Sequence, residues 1–278
     1  MIFQNLHTHT IFSDGKNTLV EMIEAAIEKD FDVLGFSDHS PMPFPCGWAV
    51  PAERIPEYRE TIRSLAEIYR DKIEIALGLE VDRFTLPLAD KYDYTIGSTH
   101  YLYKDGVYLE IDHSRERQET AIHEHFSGDP LAYARHYWET VADCIRIHRP
   151  TIVGHVDVIA KFSLMPEDDP KYRALAMEGV DALLPMCDLF EVNTGAISRG
   201  YRTVPYPADW LVRHLATRGA RFTLSSDCHN APYLDCHYRE SLAMLRANGV
   251  QTLWQYDGGS FSEYKIEECL RHTRPLWN

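Results

Sequence analysis

The chain of 278 residues has no CxxC pair, no apolar run long enough to span a membrane, and only 28 Lys and Arg against 42 Asp and Glu. Each shortage removes a class of function. Six cysteines, Cys46, Cys144, Cys187, Cys228, Cys236 and Cys269, are widely spaced, which favours reduced thiols over a disulfide framework. A formal net charge of -14 leaves few cations to release counterions from a phosphate backbone, so nucleic acid is not an expected partner. Neither GxGxxG after the first apolar segment nor GxxxxGK occurs, which removes the common dinucleotide and P-loop sites. No internal repeat or low-complexity segment is present. The first residues do not pair a basic segment with an apolar one, so the opening histidines are expected in the mature fold and the chain in the cytoplasm, off the membrane.

What is present is a 45% hydrophobic composition, enough for one α/β domain over residues 1–278 with a sizeable core. IFQNL reads as a strand ending at His7, and TLVEMIEAAIEKD as a helix with Thr18 as its N-cap. DVLGFSDHS is a buried strand, followed by a proline-rich loop, PMPFPCGWAVPAERIP. The helix EYRETIRSLAEIYRDK leads to the strands IEIALGLEVD and YDYTIGSTHYL. Residues 103–128 are polar and irregular, which predicts a lid or side excursion with a helical portion. PLAYARHYWETVADCIRIH is a helix, and strands follow in TIVGHVDVIAKF and around 189–193. The helix ADWLVRHLATRG, the strand RFTLSSDCH, the helix SLAMLRANGV, the strand TLWQYDGG and a helix around EYKIEECLRHT complete the pattern.

Alternating strands and helices predict a parallel sheet. Polar residues collect just beyond the C-terminal ends of the strands, the face on which a closed parallel barrel gathers its βα loops. An open doubly wound sheet also binds ligands there but recruits fewer strand ends. At these exits stand His7, His9, Asp14, His39, Glu80, His100, His155, Asp227 and His229. Neutral imidazoles beside carboxylates are a donor set for divalent cations. His7 and His9, two apart in an extended segment, point to the same side. Burying so many polar groups with no ion between them is costly.

The segments HTHTIFSDG, GFSDHSPMPF, GLEVD, GSTHYL, GHVDVIAKF, EVNTGAISRG and SSDCH together resemble the polymerase and histidinol phosphatase (PHP) superfamily, and more closely its monofunctional histidinol-phosphate phosphatases. The resemblance implies a distorted (β/α)7 barrel with two or three Zn, Mn or Fe ions at its mouth. It implies His7, His9, Glu80 and Asp227 around one ion, Glu80 bridging to a second held by His100 and His155, and Asp14, His39 and His229 around a third. It also implies hydrolysis of a small phosphomonoester, L-histidinol phosphate, in histidine biosynthesis. Glu80, Asp227 and His229 are then the expected catalytic centre, because adjacent cations acidify a water and neutralise phosphoryl charge.

Arg199 in GAISRG is the first candidate for the phosphate, since its planar fork matches two oxygens and Gly195 and Gly200 let the loop come close. Lys161 and Arg117 are further substrate candidates, Glu110 and Asp112 are candidates for a cationic substrate group, and Ser40, Met42 and Phe44 for the pocket wall. Two other readings stand beside this one: a phosphoesterase of the same type acting on another small phosphomonoester or on nucleotide phosphates, and a non-catalytic metal-binding barrel. The oligomeric state and the general acid are not assigned.

Overall fold

The computed structural model describes residues 2–88 and 91–272. In chain order the elements begin with β1 (Gln4–Asn5), α1 (Leu19–Glu28), β2 (Val33–Phe36), α2 (Ile55–Tyr69), β3 (Glu74–Leu77), β4 (Glu80–Val81) and β5 (Ile96–Gly97). There follow β6 (Tyr101–Lys104), β7 (Val107–Glu110), α3 (Arg115–His125), α4 (Pro130–His148), β8 (Ile152–Val153), α5 (Pro170–Leu183) and β9 (Leu189–Asn193). The last are α6 (Gly195–Ser198), α7 (Asp209–Thr217), β10 (Arg221–Ser225), α8 (Tyr238–Ala247), β11 (Thr252–Asp257), β12 (Ser260–Lys265) and α9 (Ile266–His272). Thr18 caps α1 as its sequence predicts: its side chain accepts from Glu21 N, and the Glu21 carboxylate accepts from Thr18 N at 2.8 Å.

Two parallel ladders, β1-β2-β3 and β10-β9-β8-β5-β4, make the barrel wall. They join at both seams. The isolated parallel bridge His39–Glu80 links the β2 and β4 ends, and the bridge Thr8–Cys228 links β1 to β10. Around the second seam His9 N donates to Cys228 O at 2.9 Å and Cys228 N to His7 O at 3.0 Å. Counting β3 and β4 as one interrupted strand, the described residues close a ring of seven parallel strand positions, a distorted (β/α)7 barrel. Both seams run through the candidate ligands.

The interruption corrects the single strand expected over IEIALGLEVD. Between β3 and β4 the chain changes partners: Gly78 N still donates to Phe36 O, whereas Leu79 O accepts from Ile96 N. Tyr94 crosses the barrel at this level, its hydroxyl donating to Leu6 O. A Cβ on Gly78 would stand 2.3 Å from the Tyr94 ring and one on Gly35 2.2 Å from its hydroxyl, so both positions need the bare backbone. Below the mouth, Leu6, Val33, Ala76, Tyr94, Ile96, Ile152, Leu189 and Tyr256 fill the interior. A larger apolar layer lies between strands and helices.

Three further expectations change. The strand TLWQYDGG is not a barrel strand: β11 pairs antiparallel with β12, so the segment EYK expected to open the last helix is extended. This hairpin closes the N-terminal end of the barrel, with Tyr256 N on Gln4 Oε1 at 2.7 Å and Gly258 N on Glu74 Oε2 at 3.2 Å. Thr273 at the end of the expected closing helix lies outside the described residues. The polar excursion starts at Tyr101 and is ordered, as the hairpin β6–β7 followed by α3. Its turn is Asp105-Gly106, with φ of 52° and 85°, the Asp-Gly pairing that two-residue hairpins favour. Finally, α5 arises from PKYRALAMEGVDAL, with Asp169 accepting from Lys171 N as its N-cap, a start signal not used in the sequence reading.

Candidate metal centre

The opening HTHTIFSDG makes a tight return at the barrel mouth. Thr10 O accepts from both Ser13 N and Gly15 N, and a Cβ on Gly15 would meet His9 O at 2.2 Å, so only glycine allows the loop to come back. Asp38, also at a strand exit, is occupied in holding this loop: it accepts from Thr10 N at 2.8 Å and from Ser13 Oγ at 2.5 Å. The loop thereby brings Asp14 to the buried ring of His9.

Glu80 stands at the centre of the mouth. Its Oε1 lies 3.0 Å from His155 Nε2 and 3.4 Å from His100 Nε2. Its Oε2 lies 2.7 Å from His39 Nδ1, 3.3 Å from His7 Nε2 and 3.6 Å from His9 Nε2. One carboxylate thus presents each oxygen to a different set of imidazoles, the disposition a bridging ligand needs. Asp227 Oδ1 lies 3.2 Å from His9 Nε2 and 3.8 Å from His7 Nε2. Asp14 Oδ1 reaches His229 Nε2 at 3.3 Å, His39 Nε2 at 3.6 Å and His9 Nδ1 at 3.9 Å.

All nine sequence candidates therefore converge, in four overlapping groups: His9, Asp14, His39 and His229; His7, Glu80 and His155; His7, His9 and Asp227; and His39, Glu80 and His100. Within each group the donor atoms lie within 4.8 Å of one another, which suits a centre of more than one cation. The grouping divides the residues differently from the three-ion partition above. His155 shares a group with His7, and His39 joins Glu80 and His100 as well as Asp14 and His229.

Electrostatics and unmet hydrogen bonding both fit a cation here. Burial opposes ionisation of Glu80, but the imidazoles of His7, His39 and His100 outweigh it and hold the carboxyl well below its usual range. Asp227 is likewise held down against burial, by Arg199 and His7. Burial, together with His229 and His39, lowers His9 to about 3, so its ring is neutral near pH 7 as a ligand must be. Against burial the carboxylates raise His7 and His39 and lift His100 to about 9, so these rings hold protons that a bound cation would displace. His7 Nε2 and both His9 nitrogens are buried without a hydrogen-bond partner among the described residues. Orphaned polar atoms are costly, and cations between these nitrogens and the neighbouring carboxylates would satisfy them, with separate ions for the two nitrogens of His9.

The mouth opens as a cavity of about 220 Å³. Arg199 lines it, donating from Nη2 to Asp227 Oδ2 at 2.9 Å, with Nη1 2.8 Å from His229 Nδ1. Lys161 lines it too, its Nζ on Asp112 O at 2.7 Å and 3.4 Å from Asp112 Oδ2. Lys161 and then His100 hold the Asp112 carboxyl down to about 2 against burial. Glu110 borders the same space and accepts from the Tyr101 hydroxyl.

Arg117 is a correction. It pairs with Glu110 from α3 and lines a separate groove beyond the hairpin, outside the metal cavity. Ser40, Met42 and Phe44 are corrected as well: Ser40 bonds Thr85, while Met42 and Phe44 pack with Ala49 and Tyr101. The proline-rich loop instead contributes Trp48, whose ring lies edge-on to His39 with centroids 4.5 Å apart. Trp48, Tyr201 and Tyr206 escape a motif reading because no periodicity marks an aromatic loop residue as cavity wall rather than core.

The profile of the PHP domain family matches residues 5–195, which carry seven of the nine converging residues. The chain belongs to the PHP domain family. Among curated PHP-type relatives, a protein of Deinococcus radiodurans named probable histidinol-phosphatase is 28% identical, over 89% of this chain and 94% of its own. The histidinol-phosphatase of Bacillus subtilis is 27% identical, over 81% and 92%. Among solved structures, the histidinol phosphate phosphatase of Lactococcus lactis in complex with Zn, L-histidinol and phosphate superposes with a TM-score of 0.72 at 20% identity, covering 94% of this chain and 98% of that one. At that identity the superposition speaks for the fold, and the PHP barrel derived above is the same.

Proposed function

We propose that this chain is a metal-dependent phosphomonoesterase that hydrolyses L-histidinol phosphate to L-histidinol and inorganic phosphate. The observation that carries the reading is the convergence of nine ligand-type side chains, six of which line one small cavity together with Arg199 and Lys161. The names of full-length relatives, and the Zn, L-histidinol and phosphate held by the Lactococcus lactis enzyme, support the substrate. His7, His9, Asp14, His39, Glu80, His100, His155, Asp227 and His229 would hold two or three ions of Zn, Mn or Fe, whose ligand preferences this mixed set suits. When bound, such cations supply Lewis-acid charge for phosphoryl oxygens and lower the pKa of water.

The chain's own groups do the rest. Glu80 and Asp227 enter as carboxylates, and His229 turns Nε2 toward Asp14 while its Nδ1 lies 2.8 Å from Arg199 Nη1, which can only donate, and 3.0 Å from Asp227 O. Arg199 and Lys161 present cationic donors on the cavity wall for phosphate oxygens. Glu110 and Asp112 provide the anionic side suited to the ammonium of an amino alcohol, and Trp48 a flat apolar wall. A cytoplasmic location and a single domain, with the excursion from Tyr101 walling the cavity, belong to the same proposal. They are supported by six free cysteines and by Tyr101, Glu110, Asp112 and His113 on the cavity lining. Among the described residues no helix is long and apolar enough to cross a membrane.

A panel of histidinol phosphate, sugar phosphates, nucleoside monophosphates and a phosphodiester tests the substrate. The highest kcat/KM is expected for histidinol phosphate; a higher value for any other member reassigns the substrate. Arg199→Ala is expected to raise KM for the phosphomonoester about 10- to 100-fold, the worth of a charge-assisted hydrogen bond. Zinc content measured by elemental analysis should stay at the wild-type level. Unchanged kinetics toward every phosphomonoester removes Arg199 from phosphate recognition.

A further inference from the structure

Glu191 is buried on β9, beside interior Leu189, yet it belongs to none of the four donor groups. Its Oε1 lies 2.7 Å from His7 Nδ1. Its Oε2 accepts from His155 N at 3.0 Å and from Asn193 Nδ2 at 2.9 Å. Asn193 Oδ1 in turn accepts from Gly195 N at 2.9 Å, which orients the amide so that its NH2 faces Glu191. A Cβ on Gly195 would stand 2.7 Å from Asp227 Oδ2, so this chain of contacts ends against a ligand carboxylate. One carboxylate therefore ties together the β1, β8 and β9 exits beneath the metal centre.

We propose that Glu191 is a positioning residue for the metal centre: by accepting the Nδ1 proton of His7 it holds that imidazole in the tautomer whose Nε2 lone pair faces Glu80 and Asp227, and so sets cation affinity at the His7 position. The inference rests on reading the nine converging residues as a metal centre. A carboxylate behind a ligating imidazole fixes ring orientation and strengthens the donor. His7 Nε2 points to the right place for this, 3.3 Å from Glu80 Oε2 and 3.8 Å from Asp227 Oδ1.

The donor count makes the role specific to a carboxylate. Two of the three neighbours, His155 N and Asn193 Nδ2, can only donate, so Oε2 has to accept. Glutamine offers one oxygen and one NH2. With its oxygen toward His155 and Asn193, its NH2 forces His7 Nδ1 to accept and puts the ring proton on Nε2, where the cation binds. With its oxygen toward His7, two donors face an NH2.

The test compares wild type, Glu191→Gln and Glu191→Asp in three measurements: zinc per chain by elemental analysis, zinc affinity by competition with a chromophoric chelator, and the rise in Tm on zinc loading. Glu191→Gln is expected to lose one tightly held equivalent, or to hold it about 10- to 100-fold more weakly, with a smaller zinc-induced rise in Tm. A purely structural role lowers Tm equally with and without zinc and leaves the affinity at the wild-type value; that result overturns the proposal. Should Glu191→Gln not fold, Glu191→Asp decides, since it keeps the charge and both acceptors but withdraws them by one methylene. Weakened zinc binding in Glu191→Asp supports the proposal, and wild-type affinity overturns it. A wild type that binds no zinc removes the metal centre itself, whereas normal wild-type binding with unaltered variants removes only the role of Glu191.

Discussion

Glu80→Gln is expected to lower kcat/KM for histidinol phosphate by about 10³-fold while the barrel stays folded. Among the described residues Glu80 is the one carboxylate whose two oxygens face different imidazole sets, His100 and His155 on one side and His7, His9 and His39 on the other. An amide keeps the shape but presents one oxygen and one NH2, so it cannot serve both sets and carries no charge. A loss of about 4 kcal/mol in transition-state stabilisation, in line with the several supplied by metal charge at a phosphoryl group, corresponds to that factor. Circular dichroism should report an intact fold, because Glu80 N still donates to Asp38 O and the β4–β5 pairing is made by backbone atoms. Near-normal turnover by Glu80→Gln at wild-type zinc content would exclude a bridging role.

Removal of divalent cations should abolish turnover and lower Tm by about 10 °C. A ligand at 1,000 times its Kd stabilises by about 4 kcal/mol, and for a chain of this size each kcal/mol moves Tm by roughly 2–4 °C. The structural reason is the density of polar atoms at the mouth. Without cations, His7 Nε2 and the two His9 nitrogens are left facing carboxylate oxygens of Glu80, Asp227 and Asp14 at 3.2–3.9 Å. Calorimetry of chelated and reloaded protein, with an activity assay on each, measures both effects. Full activity in protein shown by elemental analysis to be metal-free would refute the mechanism.

The converging residues were legible because the chain repeats one local event. A buried strand runs out, and two or three residues on stands an imidazole or carboxylate: Phe36 then His39, Leu77 then Glu80, Val153 then His155, Ser225 then Asp227. Glu191 was also open to a closer reading, since a glutamate inside the wholly buried LFEVN cannot be a solvated surface residue. The Asp-Gly turn of the excursion was a hairpin signal of the same local kind. Arg117 was not legible: helix α3 turns it toward Glu110 and the outer groove, and that direction depends on how the hairpin packs.

Residue types, their order along the chain and the strand ends they occupy were set by the sequence, because side-chain alternation and helix caps are local and leave a period to read. Which of those residues touch was decided by closure of the ring. The bridges Thr8–Cys228 and His39–Glu80 bring His9 against Asp227 and seat one carboxylate among five imidazoles. Contacts across more than two hundred residues of chain leave no periodic trace, since they are fixed by the stagger of seven strands and by the bare backbone at Gly35 and Gly78 that lets Tyr94 cross the barrel beneath them.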